Sequence, residues 1–300
     1  MSPYLEEKNV AKPIGVGKSF GTFGELLQGV GTDEQNFLIT LPINRYSQVT
    51  FESRPDFPDL IVSPSYRLKS RQIALRILQL YDLPIGGVIE INSNIPVGKG
   101  LASSSADIVA TARAIDHCFA LHLSRERMEW FIQEIESTDG VMYDGIVSYY
   151  HHAVRLRECL GLVPHLSIVS IDEGGEVDTA EFNKISRSYG AAEKSEYDDL
   201  LASISSAIKG HNLKAMGEIS TRSAILNQRL LEKRQMDQVL DICNAVNGLG
   251  IVITHSGTCI GILLDQTDVE YGRQLHKAYH LMSTLHGEVT IFHTNTLRCL

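Results

Sequence analysis

The sequence predicts an α+β chain in two parts, and three observations carry that expectation. First, Gly87-Val88-Ile89-Glu90-Ile91-Asn92 alternates as a strand does, and Ile108, Ala112, Ile115 and Phe119 recur at helical spacing as far as His122. A glycine- and serine-rich stretch, 94–107, joins the two. Second, the residues before this unit are rich in short strand-like runs. Third, helix-period and strand runs alternate in a different order beyond Gly161–His165, which divides the chain into residues 1–164 and 165–300.

Taken in order, residues 1–12 read as a loose leader. Met1–Val10 is polar, with no apolar core of the kind a secretory signal needs. Gly15-Val16-Gly17-Lys18-Ser19 suggests a phosphate loop of the Walker type. That motif needs a glycine where Lys12 stands and a helix afterwards, and Phe20-Gly21-Thr22-Phe23-Gly24 follows instead, so the Walker reading fails. Phe37–Leu41 and Ser47–Phe51 read as two strands joined by a turn at Pro42-Ile43-Asn44. Ser70–Tyr81 is an amphipathic helix with Ile73, Ile77 and Leu80 on one side. Ser124 caps a helix that turns Met128, Phe131, Ile132 and Ile135 inward.

In the second part, Leu166–Ile171 reads as a strand, followed by helices at 196–209, 212–228 and 231–247. Strands at Gly250–Thr254 and Cys259–Leu264, a helix at 268–282 and a strand at Glu288–His293 complete it. Ser186–Lys194 is the most linker-like patch, and no internal repeat is present.

Composition sets limits on function. The 300 residues are 43% hydrophobic and carry a formal charge of −9, which excludes a general nucleic-acid binder with a basic surface. A few local lysines and helix ends still suffice for ATP. There is no run of about 18 apolar residues, so no membrane span is expected. The five cysteines (Cys118, Cys159, Cys243, Cys259, Cys299) are scattered, with no C-x-x-C pair, and support neither a zinc site nor a disulfide framework. A cytoplasmic setting is expected.

The chemistry concentrates in Pro96-Val97-Gly98-Lys99-Gly100-Leu101-Ala102-Ser103-Ser104-Ser105. Pro96 fixes φ, and the two glycines let backbone approach a ligand. Free amides and the positive dipole end at the start of the helix make an anion site, and Lys99 adds a mobile positive charge that makes it a candidate catalytic group. Serines before a helix also serve as ordinary caps, but three in succession exceed that need. The simplest ligand is a polyphosphate. Phosphoryl transfer also needs Mg²⁺, which takes one or two protein oxygens, and often a carboxylate base. Ser104 and Glu136 are the candidate metal ligands. Asp144, set among Met142, Tyr143, Ile146 and Val147, is the leading base candidate, and Asp139 competes for the role. Each also has an ordinary reading, as a solvated helix-end charge or a carboxylate capping local amides. Thr22, Gly24, Glu25 and Gln28, and the turn His255-Ser256-Gly257-Thr258, are candidate substrate residues. The other histidines, including His151 and His152, lack metal-ligand spacing.

These motifs resemble the GHMP small-molecule kinases. The signature Pro-x-x-x-Gly-Leu-(Gly/Ala)-Ser-Ser stands at Pro96–Ser104. The early Gly24–Gly29 stretch and the late Gly250–Gly261 stretch match in the family's order. Within the family the chain is most similar to the L-threonine kinase branch of cobalamin side-chain synthesis, through Gly24–Gly29, Ile95–Asp107, Glu136–Met142 and His255–Thr258. The resemblance implies ATP on the Gly98–Ser105 loop and Mg²⁺ near Ser104 and Glu136. It also implies a two-lobed fold, with an N-terminal lobe like ribosomal protein S5 domain 2 and a ferredoxin-like C-terminal lobe. Asp144-Gly145-Ile146-Val147-Ser148 resembles the family's Asp-Asn-Ala-Val-Ser, with Gly145 replacing the Asn. That departure, and the short gap from Glu136, leave open a base at Asp139 or none at all. Phe23 stands where the branch often has a small residue or Cys.

The implied substrate is a small hydroxy amino acid, L-threonine first. Serine, homoserine or another small alcohol is the alternative acceptor, and a non-catalytic metabolite-binding regulator is the alternative function. A homodimer is the assembly allowed for.

Overall fold

A computed structural model describes residues 13–177 and 189–295. The leader expected over residues 1–12 and the first part of the expected linker at 186–194 lie outside the described residues, and from Ala191 the latter is helix. The described residues form ten strands: β1 (Ile14–Val30), β2 (Asn36–Ser53), β3 (Leu60–Ser63), β4 (Gly87–Ser93), β5 (Ile146–Tyr150), β6 (Arg155–Gly161), β7 (Leu166–Asp172), β8 (Gly250–Ile253), β9 (Cys259–Asp265) and β10 (Glu288–His293). Seven helices accompany them: α1 (Leu68–Leu80), α2 (Ser103–Phe119), α3 (Arg125–Gln133), α4 (Ala191–Lys209), α5 (Leu213–Asn227), α6 (Met236–Ala245) and α7 (Tyr271–Met282).

The strands run in the order β10-β7-β9-β8-β1-β2-β4-β3, with β5 pairing to β2 and β6. One register pair, Glu25 with Ile253, joins the halves of this path. The sheet therefore bends into two lobes, and a candidate site residue sits at the joint. The division expected between residues 164 and 165 falls in the connection from β6 to β7.

The N-terminal lobe buries Phe51, Ile73, Ile77, Ile89, Ile108, Ile115 and Phe131 between its strands and α1–α3. The C-terminal lobe buries Val239, Ile251, Ile260, Ile262 and Met282 beneath α6 and α7. A third cluster, including Phe23, Leu26, Leu27, Ile39, Tyr197 and Val252, lies where the lobes meet. Each fully buried side chain of this size contributes roughly 1.5–3 kcal/mol, so the junction is a core in its own right.

Two expectations are corrected. The Pro42-Ile43-Asn44 turn is absent, and β2 runs through it as one strand. Proline is tolerated there because β1 bulges opposite, with register shifts around Thr22, which pairs with Pro42. The free carbonyl of Pro42 accepts the Asn295 amide at 3.0 Å. The helix expected over 231–247 begins only at Met236, because the Glu173 carboxylate holds the Arg234 and Gln235 amides at 3.1 and 2.7 Å outside it.

Gly15-Val16-Gly17-Lys18-Ser19, the false phosphate loop, is strand. Its glycines serve packing: a Cβ at Gly17 would lie 2.0 Å from the Ala110 carbonyl of α2. No helix among the described residues is long and apolar enough to cross a membrane.

Candidate active site

The loop between β4 and α2 is the floor from which the site is built. Gly98, Gly100 and Ala102 all have positive φ, at 72°, 74° and 59°. Ala102 is the N-cap of α2, and a non-glycine residue in that region is a strained conformation that surrounding structure must enforce. Here the Thr22 amide holds Leu101 O at 3.2 Å, which ties the loop to β1. The first bond inside α2 runs from Ala106 N–H to Ala102 O at 2.9 Å. The amides of Ser103, Ser104 and Ser105 therefore precede the helical ladder, as an anion cradle requires.

Above the cradle opens a cleft of about 530 Å³, a volume common among small-molecule sites. Pro96, Val97, Gly98, Gly100 and Leu101–Ser105 line it, with Glu136, Asp139, Glu25, Gln28 and Ser256. Arg67 and Lys69, at the start of α1, line it as well. The Arg67 guanidinium pairs with buried Asp107 at 2.6 Å, and Ser47 Oγ donates to the other oxygen of Asp107 at 2.5 Å. Ser104 Oγ donates to Glu136 Oε1 at 2.7 Å, and Lys69 pairs with the second oxygen of Glu136. Two hard oxygens from one hydroxyl and one carboxylate, beside a phosphate cradle, are the donor set Mg²⁺ takes when most of its shell is water and phosphate. No group of three or more His, Cys, Asp or Glu side chains among the described residues forms a fuller metal cage.

Asp139 sits beside this pair. Ser105 Oγ donates to its Oδ2 at 3.0 Å. Burial, then the negative charge of Glu25, push the Asp139 carboxyl up to about 7, against the Ser105 hydrogen bond. Glu25, 5% exposed, is fixed in turn. His255 Nδ1 donates to its Oε2 at 2.8 Å, and His255 Nε2 meets Ser223 Oγ at 2.9 Å. Ser223 Oγ also accepts the Gln28 amide at 3.3 Å. The two lobes thus meet through a hydrogen-bonded chain that ends at the cleft.

The sequence-predicted residues divide. The cradle, Ser104, Glu136, Asp139, Glu25, Gln28 and Ser256 converge on the cleft. Asp144 does not line it; its Oδ2 lies 3.3 Å from Arg125 Nη2. Lys99 is also outside the lining, because its Nζ pairs with Asp172 at 2.7 Å. Thr22, Gly24, His255, Gly257 and Thr258 stand behind it as support. Gly24 packs on β8, where a Cβ would lie 2.1 Å from Ile253 O.

Sequence reasoning missed Arg67, Lys69, His151, Asp172 and Ser223. The pair Arg67-x-Lys69 just before an amphipathic helix was a usable signal for two of them. The other three show no local pattern, because their partners lie 32 to 195 residues away, as the Gln28–His151 contact at 3.5 Å illustrates.

Comparison with known proteins identifies the family. Residues 69–151 match the family model of the GHMP kinases N terminal domain, and residues 188–278 match that of the GHMP kinases C terminal. The chain is 29% identical over 257 residues to an L-threonine kinase of Citrobacter freundii, covering 83% of this chain and 86% of that protein. It is 26% identical over 290 residues to an L-threonine kinase of Salmonella typhimurium, covering 94% and 92%. Among solved structures, a homoserine kinase from Cytophaga hutchinsonii superimposes with a TM-score of 0.75 at 16% identity, covering 96% of each chain.

Proposed function

Because the chain belongs to the GHMP kinases, ATP-dependent phosphotransferases that act on an alcohol, we propose that it transfers the γ-phosphoryl group of ATP to the hydroxyl of L-threonine, giving O-phospho-L-threonine. The observation that carries the reading is the single cleft where a phosphate cradle, the Ser104–Glu136 oxygen pair and a carboxyl pushed to about 7 face one another. The choice of L-threonine rests on the two similar kinases, each aligned over most of its length. The reading carries with it a cytoplasmic setting and a place in cobalamin side-chain synthesis.

The chain's own residues divide the work. The amides of Ser103–Ser105 bind the phosphate oxygens, with Arg67 and Lys69 supplying positive charge beside them. Ser104 and Glu136 would hold Mg²⁺, which supplies charge neutralisation to the β- and γ-phosphates when bound. Asp139 accepts the proton of the attacking hydroxyl, and the Ser105 O–H fixes which oxygen faces the substrate. Glu25 raises the basicity of Asp139, and His255 keeps Glu25 in place. A base whose pKa lies near the working pH combines sufficient ionisation with sufficient driving force.

Two results are expected. The rate at saturating substrates should fall as pH drops through about 7, because protonated Asp139 cannot accept a proton; a flat profile from pH 6 to 8 with chemistry rate-limiting would remove Asp139 from that role. Ser104→Ala should raise the Mg²⁺ concentration needed for half-maximal rate by roughly tenfold, as loss of one of few protein ligands predicts. An unchanged Mg²⁺ requirement would take Ser104 out of the metal site.

The acceptor is tested by phosphorus NMR with Mg-ATP and a panel of threonine, serine, homoserine, mevalonate and sugars. A phosphomonoester signal strongest with L-threonine is expected. ATP binding without product from any alcohol would instead mark a regulator built on a kinase scaffold.

A further inference from the structure

The nucleotide loop is held from the far lobe, and one carboxylate bridges it to two other segments there. Asp172 ends β7 in the C-terminal lobe. Its Oδ2 pairs with Lys99 Nζ at 2.7 Å. Its Oδ1 accepts the Thr258 hydroxyl at 2.6 Å and the Gly174 amide at 3.0 Å. Three segments distant in sequence therefore converge on one side chain: the glycine-rich loop of the first lobe, the His255–Thr258 turn, and the turn after β7.

The same junction is sealed by backbone. Val177 N–H donates to Gly98 O, and Glu173 N–H donates to Thr258 O, each at 3.1 Å. Lys99 Nζ makes a second bond, to Gly175 O at 2.6 Å. The two glycine-rich loops touch directly: a Cβ at Gly257 would lie 2.0 Å from Lys99 O.

We propose that Asp172 is a positioning residue for the nucleotide loop, and that Lys99 serves this joint rather than contacting the phosphates. Through Lys99 on one side and Thr258 on the other, Asp172 locks the two loops into one rigid wall of the cleft. The physical need is clear in the loop itself. A segment with three positive-φ residues has many alternative conformations, and ordering it only when ligand arrives would weaken binding. Charge balance points the same way. Burial opposes an ionised Asp172, yet the hydrogen bonds from Lys99, Thr258 and Gly174 hold its carboxyl below the ordinary value. A lysine withdrawn to the phosphates would leave that carboxylate uncompensated beside further negative charge.

The proposal rests on the kinase reading only for the identity of the ligand. Its test is a double-mutant cycle on the full chain, with Lys99→Met, Asp172→Asn and the double variant, titrated calorimetrically with Mg-ADP. Thermal unfolding checks that each variant is folded. Each single change should weaken Mg-ADP by about 5- to 30-fold, and the double should be no weaker than the worse single, as for two ends of one interaction. The KM for ATP should rise by more than kcat falls. If Lys99→Met weakens binding while Asp172→Asn leaves it unchanged or tightens it, Lys99 is a phosphate ligand and the proposal is overturned. Variants that bind as wild type overturn it as well, with the kinase reading intact. A wild type that binds no Mg-ADP would take both down together.

Discussion

Replacing Asp139 with asparagine should lower kcat by roughly 10²–10⁴-fold, the range for loss of a general base, while Asp144→Asn stays within a few-fold of wild type. The two carboxylates are only five residues apart, but the fold gives them different neighbours. Asp139 faces the cleft with Ser105 and the charge of Glu25, whereas Asp144 lies beside Arg125, outside the lining. Stability separates chemistry from folding in this experiment. Asp139 has a folded value near 7 against an ordinary 3.8, so the native state binds the extra proton more tightly than the unfolded chain does. Its ionisation therefore costs stability as pH rises from about 4 to 7, and that cost is complete above 7. Asp139→Asn removes the charge, so at pH 8 the variant should melt no lower than wild type. A large rate loss in a protein of equal or higher Tm identifies a lost base. A larger loss from Asp144→Asn would return the role to that residue.

The second large effect is expected at Gly257→Ala. The added Cβ would lie 2.0 Å from Lys99 O and 2.6 Å from Gly100 N, both backbone atoms with no rotamer to escape into. Overpacking of this kind costs about 1–3 kcal/mol. The strain falls on the contact that places the phosphate loop, so Mg-nucleotide affinity should drop by about 5- to 150-fold. Calorimetric titration measures it directly, and wild-type affinity would mean that the two loops separate freely. This substitution reports on the lobe junction without altering any charged group.

Much of this architecture was legible because its signals are local. Ser124 caps α3 as expected, its hydroxyl accepting the Arg127 amide at 3.2 Å. The strands Leu166–Asp172, Gly250–Ile253, Cys259–Asp265 and Glu288–His293 fall where apolar runs bounded by turn residues put them. What escaped depends on partners distant in sequence. The strand through Pro42 is kept by a bulge on β1 and by Asn295. The short strands Leu60–Ser63 and Arg155–Gly161 carry little periodicity and form because β4 and β5 offer edges.

The site divides in the same way. The cradle is written in consecutive residues, whereas Ser104 and Glu136, 32 residues apart, form a pair only where the end of α3 packs beside the start of α2. The preference for Asp144 rests on its apolar neighbours and on the wording Asp-Gly-Ile-Val-Ser, and neither carries information on which of two nearby carboxylates turns toward a cleft. Lys99 read as a free positive charge because Asp172 lies 73 residues further on.

The most direct test is a crystal structure of the full chain with a non-hydrolysable ATP analogue, Mg²⁺ and L-threonine. Phosphate oxygens are expected on the Ser103–Ser105 amides, the ion between Ser104 and Glu136, and the threonine hydroxyl within hydrogen-bonding reach of Asp139. Phosphates bound elsewhere, or a threonine hydroxyl turned toward Asp144, would contradict it.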